Sequence, residues 1–193
     1  MKGRQSGMPE EELWNSFFNP ACVLSKLRCD KQCIDVVEFG CGYGLFTEAA
    51  ARLVAGCVYA LDIEQEMIEA TNQKMRLAEI TNVITERRDF VADGCGRPEQ
   101  SVCYTMLFNI LHIEEPVALL REARRVLKPG GKVGVIHWNY DASTPRGPSM
   151  DIRPQPEQVR GWLIEAGFQD IRFDPLDCCP YHYGFVGTKP GKR

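Results

Sequence analysis

The sequence predicts an α/β protein built on a doubly wound, mostly parallel sheet of seven strands with helices on both faces. Three observations predict it. Short apolar runs alternate with segments of helical apolar spacing from Ile34 to His137, the pattern of a parallel sheet joined by crossover helices. A glycine turn, Gly40-Cys41-Gly42-Tyr43-Gly44, links the first apolar run to the first of those helices. The 193 residues, 44% apolar and 25% charged, are enough for one domain with an ordinary core.

The elements follow in order. Pro9–Leu27 reads as one or two helices laid over the top of the domain. Ile34–Phe39 is short and apolar, a central strand. Leu45, Phe46, Ala49, Ala50, Leu53 and Val54 share one helix face, and Gly56 stops that helix. Cys57–Asp62 is the second strand, and Met67, Thr71, Met75 and Ala78 mark the buried side of the second helix. Val83–Arg87 is a weaker third strand, followed by a loop over Asp89–Gln100 that holds Gly94, Gly96 and Pro98. Val102–Asn109 is a strongly apolar fourth strand. Pro116 suits the first turn of a helix, with Val117, Leu120, Ala123 and Leu127 as its apolar face and Pro129-Gly130-Gly131 as its end.

Lys132–His137 is the fifth strand. Asn139–Pro156 then breaks the alternation with Pro145, Gly147, Pro148 and Pro154, so it reads as a long loop or lid, with Arg146 and Arg153 solvated. A last helix over Pro156–Ala166 turns Val159, Trp162, Leu163 and Ala166 inward and is capped by Gly167. Phe168–Asp174 and His182–Thr188 complete the strands. The chain is thus expected to be a single domain, residues 1–193: a helical cap over 1–30, a core over 31–137, and the lid, last helix and final strands over 138–193.

Charge and composition exclude several classes. With 23 basic and 26 acidic side chains the net charge is -3, which argues against a nucleic-acid partner. No apolar run reaches the length of about 18 residues that a membrane helix needs, and Met1–Glu12 holds no apolar leader. The expectation is a cytoplasmic protein with no membrane partner. Nine cysteines then read as reduced thiols, scattered and not metal-binding. Cys29 and Cys33, or Cys178 and Cys179, have no second pair at zinc spacing, so no metal is expected. Oligomeric state is not set by these features.

The glycine turn carries the chemistry. Glycines permit a tight turn and let a ligand approach the backbone, and the helix start offers free N–H groups. The spacing is Gly-x-Gly-x-Gly, not the Gly-x-Gly-x-x-Gly of a dinucleotide site. Glu38 stands just before the glycines; a carboxylate there repels a pyrophosphate and attracts an ammonium group. Asp62 closes the second strand, 18 residues after Gly44, where an acid accepts hydrogen bonds from ribose hydroxyls. The ligand read from these residues has a ribose, a cationic amine and few or no phosphates.

With these residues in view, the chain resembles the Rossmann-like (class I) S-adenosylmethionine-dependent methyltransferases of small-molecule type. Glu38–Gly44 resembles the family's first motif, which holds the methionine part of the cofactor. Asp62 matches the ribose acid and Ile63 the apolar neighbour of the adenine. Asp89-Phe90 resembles the acid and wall that meet the adenine amino group, and Asn109-Ile110-Leu111-His112 the motif after the fourth strand. Arg125–Gly131 is similar to the turn before the fifth. The resemblance implies an antiparallel last strand. It also implies S-adenosylmethionine held by Glu38, Gly40, Cys41, Gly42, Gly44, Asp62, Ile63, Asp89, Phe90 and Asn109. Ser101 stands where the family often has an acid, and Ile113 follows His112 where it often has a second histidine.

Methyl transfer from a sulfonium is an in-line displacement with a neutral leaving group. Positioning can supply about 7–11 kcal/mol of its barrier, and a base is needed only if the nucleophile must lose a proton. Ligands of such sheets lie beyond the carboxyl ends of the strands, which places Asn109, His112, His137 and Trp138 near the pocket. His112 is the candidate catalytic base or donor; Trp138, Tyr181, His182 and Tyr183 are candidate substrate contacts. A small-molecule acceptor is expected from the near-neutral charge. The alternatives are a non-catalytic S-adenosylmethionine-binding module and an NAD-dependent oxidoreductase, the latter opposed by Glu38 and the glycine spacing.

Overall fold

The computed structural model describes residues 8–191. Met1–Gly7, part of the segment read as lacking a leader, lies outside the described residues. Two short helices open the described chain, α1 (Glu11–Ser16) and α2 (Pro20–Lys26). The alternating core follows: β1 (Val36–Phe39), α3 (Leu45–Leu53), β2 (Val58–Asp62), α4 (Gln65–Leu77), β3 (Val83–Arg87), β4 (Val102–Phe108), α5 (Pro116–Val126) and β5 (Leu127–Trp138). It closes with α6 (Pro156–Glu165), β6 (Gln169–Asp174) and β7 (His182–Thr188).

The seven strands form one sheet in the order β3-β2-β1-β4-β5-β7-β6. β1 runs parallel to β2 and β4, β2 to β3, and β4 to β5. β7 is antiparallel to both β5 and β6. The chain steps outward from β1 to β3 and then returns to β1's other side with β4. That reversal opens a crevice at the carboxyl ends of β1 and β4, where ligands of open α/β sheets bind.

Burial explains the central strands. All four residues of β1 are buried, as a strand covered on both faces requires. Val37, Val133 and Val135 pack on the face covered by α5 and α6. Val36, Met106 and Ile136 pack on the face covered by α2 and α3. α5 starts with Pro116 and ends with Arg124 and Arg125 in its last turn, both favourable at those ends.

Three expectations change. β5 begins at Leu127, directly after α5, and not at Lys132. Val102 pairs with Leu127 and Tyr104 with Lys132, so Lys128–Gly131 bulges between two ladder points. The bulge is held because Gly130 N–H donates to Lys189 and Lys189 N–H donates to Gly131.

Arg153 is not solvated. It is only 7% exposed, and its guanidinium donates to the carbonyls of Asn139, Asp141, Arg146 and Pro148 and to Thr144 Oγ1. A proline- and glycine-broken loop leaves carbonyls without a regular partner, and one five-donor side chain collects them.

The reading of all nine cysteines as reduced thiols is corrected at two. Cys22 and Cys178 form a disulfide between α2 and the segment before β7. Their separation of 156 residues hides the pair from any spacing rule.

Candidate functional site

A cavity lies at the carboxyl ends of β1, β2 and β4. Glu38, Gly40, Cys41, Gly42, Asp62, Ile63, Phe90, Asn109, His112 and Trp138 all line it, so the structure brings together ten of the sequence-predicted residues. β1 delivers Glu38, β2 delivers Asp62, and the segment after β4 delivers Asn109 and His112.

The turn is built from backbone that favours glycine. Gly40, Gly42 and Gly44 have φ of 82°, 53° and 76°, the left-handed region where a Cβ is strained. Gly40 and Gly42 form the cavity wall. Gly44 does not line the cavity: a Cβ there would stand 2.9 Å from Thr71 Oγ1, so its place is the close approach of α3 to α4.

Asp62 is already partly used. Its Oδ2 accepts from Gly42 N–H at 2.9 Å and its Oδ1 from Glu64 N–H at 3.0 Å. The carboxylate therefore ties β2 to the glycine turn and keeps lone pairs for further donors. Burial raises its pKa, and the N–H groups of Glu64 and Gly42 oppose that rise.

Glu38 is 2% exposed and accepts from Thr47 Oγ1. Burial, opposed by the Thr47 bond and reinforced by Asp62, pushes its pKa up to about 8. The acid read from sequence as a charged carboxylate thus carries its proton at neutral pH until a cation arrives beside it.

Asn109 holds φ of 57° directly after β4, and its N–H donates to Ile136. Both polar atoms of its buried side-chain amide lack a hydrogen-bond partner among the described residues. Buried polar atoms are nearly always paired, so the orphaned amide on the cavity wall fits a polar ligand. The bare backbone at Gly40 and Gly42, the two acids and the apolar walls Ile63 and Phe90 fit a cationic nucleoside.

Other placements differ. Asp89 is not on the cavity wall; its Oδ1 accepts from the N–H groups of Val91 and Ala92 and shapes the turn after β3. Tyr181, His182 and Tyr183 do not line the cavity either. Tyr181 packs edge-on against Phe17, and His182 lies between Phe18 and Trp138. The Tyr183 hydroxyl donates to the Pro154 carbonyl. A strand alternates faces, so neighbours at 181–183 cannot all point one way.

Sequence reasoning missed Trp14, Phe46 and Phe108 as cavity walls. Phe46 and Phe108 read as core by periodicity, which they also are. Trp14 had no local signal, because α1 reaches the site only through the tertiary fold.

Size alone does not identify the site. A larger groove of about 920 Å³ lies between α2 and α3. Of the residues predicted from the sequence to bind a ligand it carries none, so the acids and the orphaned amide weigh more. Cys22, Asp177 and Cys178 are close enough for a metal ion, but the two sulfurs are bonded to each other and Lys26 pairs with Asp177.

Comparison with known proteins adds the following. Residues 36–131 match the model of a methyltransferase domain. The ubiquinone biosynthesis O-methyltransferase of Xanthomonas oryzae pv. oryzae is 32% identical over 108 residues, which is 55% of this chain and 44% of that protein. The chain thus spans less than half the length of this curated relative. A crystal structure of a SAM-dependent methyltransferase from Aquifex aeolicus superposes with a TM-score of 0.80 at 22% identity, over 93% of this chain and 94% of that one. The crystal structure of the [4+2]-cyclase SpnF follows at a TM-score of 0.76 and 17% identity, over 97% and 85%. These two likenesses speak for the fold, and the second carries a different reaction in its name.

Proposed function

The chain belongs to the class I S-adenosylmethionine-dependent methyltransferases, and on that premise we propose that it transfers the methyl group of S-adenosylmethionine to a hydroxyl of a small aromatic molecule. The observation that carries the cofactor half is the orphaned Asn109 amide on a wall shared with Glu38 and Asp62. Asp62 takes the ribose hydroxyls on its remaining lone pairs. Glu38, once deprotonated, faces the positive end of the cofactor. Ile63 and Phe90 enclose the adenine, while Asp89 acts through the shape of its turn.

The acceptor half is supported by the wall chemistry. Trp14, Trp138, Phe46 and Phe108 offer aromatic and apolar surface, and the Xanthomonas relative is named as an O-methyltransferase. A bound S-adenosylmethionine supplies an electrophilic methyl on a leaving thioether. The protein holds the acceptor oxygen in line with that methyl and excludes water, and His112 receives the hydroxyl proton. Among the described residues no helix is long and apolar enough to cross a membrane. The Cys22–Cys178 disulfide runs against the cytoplasmic setting expected from the sequence, because a reducing cytosol keeps thiols reduced.

Calorimetry and turnover test the proposal together. S-adenosylmethionine binds the wild-type chain, and Asp62→Ala weakens binding by about 1–3 kcal/mol, the scale of a lost bond to a charged group. The expected outcome is formation of S-adenosylhomocysteine when phenols or catechols are supplied as acceptors and none when amines are supplied. Binding of NAD in place of S-adenosylmethionine would overturn the cofactor, and tight binding without turnover on any acceptor would leave a binding module instead of an enzyme.

A further inference from the structure

We propose that Thr71, in the middle of α4, is a positioning residue for the cofactor: its hydroxyl holds the Gly42 carbonyl and so fixes the bare backbone against which S-adenosylmethionine lies. The placement of the cofactor on that backbone rests on the proposed function; the hold on the turn does not.

Thr71 is out of place by the rules of its own helix. It is fully buried, on the side of α4 that also buries Met67, Ile68 and Met75. A β-branched residue is a weak helix former, and a buried hydroxyl is costly unless it is hydrogen-bonded. Inside a helix, a threonine commonly turns its hydroxyl to solvent or to a carbonyl one turn back. Thr71 does neither: its Oγ1 donates to the Gly42 carbonyl at 2.9 Å, across a separation of 29 residues.

The direction of that bond is forced. A carbonyl oxygen only accepts, so the hydroxyl proton lies toward Gly42. Among the described residues this carbonyl takes no other hydrogen bond. The same side chain reaches the rest of the turn. Its oxygen is 3.6 Å from Cys41 Sγ, and a Cβ at Gly44 would stand 2.9 Å from it.

Gly42 is thereby held from both sides. Its N–H donates to Asp62 Oδ2 at 2.9 Å, and its carbonyl accepts from Thr71. These groups belong to two successive peptide planes, whose relative rotation is set by φ and ψ of Gly42. Glycine offers that rotation little resistance, so two anchors supply what side-chain sterics cannot at this position. Without the Thr71 anchor the Gly42–Tyr43 peptide is free to turn. The Gly42 backbone then leaves its place on the cavity wall, and Asp62 loses a fixed donor. Gly40 and Cys41 need no such help, because both of their N–H groups bond the Leu61 carbonyl.

Serine and alanine at position 71 differ by one hydroxyl, which makes the test. Amide hydrogen exchange of the ligand-free protein reads the turn at the Gly42 N–H, bonded to Asp62, and the Gly44 N–H, bonded to the Cys41 carbonyl. Exchange at both quickens by about tenfold or more in Thr71→Ala and stays near the wild-type rate in Thr71→Ser. Calorimetry with S-adenosylmethionine, at a temperature where every variant is folded, reads the consequence. The Kd rises about five- to tenfold in Thr71→Ala, the scale of one lost hydrogen bond. It stays within about twofold of wild type in Thr71→Ser. A merely structural threonine would lower the Tm and leave the Kd of the folded protein unmoved.

An unchanged Kd in Thr71→Ala overturns the positioning role, as does a Thr71→Ser variant that binds as weakly as Thr71→Ala. Unchanged exchange at Gly42 and Gly44 overturns the hold itself. If Thr71→Ala does not fold, proton NMR of the wild type decides: the Thr71 hydroxyl proton gives a resolved resonance in water, and its loss to rapid exchange overturns the bond. A wild type that shows the protected hydroxyl and fails to bind S-adenosylmethionine removes the proposed function and leaves the hold of Thr71 on the turn standing.

Discussion

Glu38 shows how far a residue's chemistry depends on its surroundings. Its carboxyl is buried beneath the glycine turn, with Thr47 as its donor, and its pKa rises from 4.5 to about 8. The sign of the stability effect follows from that direction. A raised carboxyl pKa gives a contribution that is full below about pH 4.5 and is lost as pH rises through about 8. Glu38→Gln carries no titrating proton. Denaturant unfolding at pH 6 and pH 9 should therefore show the wild type losing stability relative to the variant, on the order of a few kcal/mol. Equal losses in both proteins would contradict a protonated Glu38. A cation bound beside the acid pulls the pKa back down, so the proposed placement of the cofactor predicts proton release on binding near neutral pH, measurable by calorimetry in buffers of different ionisation enthalpy.

At the scale of elements, the loop between β5 and α6 is held by one side chain. Arg153 gathers carbonyls from both ends of the loop, and Arg146, Gly147 and Pro148 of the same loop line the cavity. The lid is therefore a fastened cover. Hydrogen bonds from a charged donor contribute about 1.5–3 kcal/mol each when buried. Arg153→Met strands several carbonyls at once and should cost about 2–4 kcal/mol of stability. Limited proteolysis within 139–156 should become faster in that variant; an unchanged cleavage pattern would show that the loop holds its shape without Arg153. The element boundaries were mostly legible, because helical spacing and strand runs are local signals. The departure at Leu127–Gly131 was not, since Lys189 on a distant segment holds that bulge.

For the whole molecule, the cap is fixed from two sides. Phe17 packs on Trp138, Phe18 packs on Phe46, and the Cys22–Cys178 bond ties α2 to the segment before β7. A crosslink between such distant residues restricts the unfolded chain and stabilises by about 2–4 kcal/mol. Thermal unfolding should show a lower Tm for the double variant Cys22→Ser, Cys178→Ser, and for the wild type under a dithiol reductant. A reductant that lowers the Tm of the double variant equally would point to another thiol. The wall of the candidate cavity was legible where it follows the chain, at Glu38, Gly40, Cys41, Gly42, Asp62 and Asn109, since strand ends and one turn carry each part. It was not legible at Trp14 or among Tyr181, His182 and Tyr183, where packing of separate elements chooses which face meets the cavity.

The sequence by itself determined the alternating architecture, the position of the glycine turn and the acids beside it. Those depend on residue order over a few turns or strand steps, which periodicity and backbone preference report directly. Only the tertiary structure decided the proton on Glu38, the partner of Cys22, the burial of Arg153 and the meeting of Thr71 with Gly42. Each of these depends on desolvation or on contact between segments far apart in the chain, and neither quantity exists until the core has closed around them.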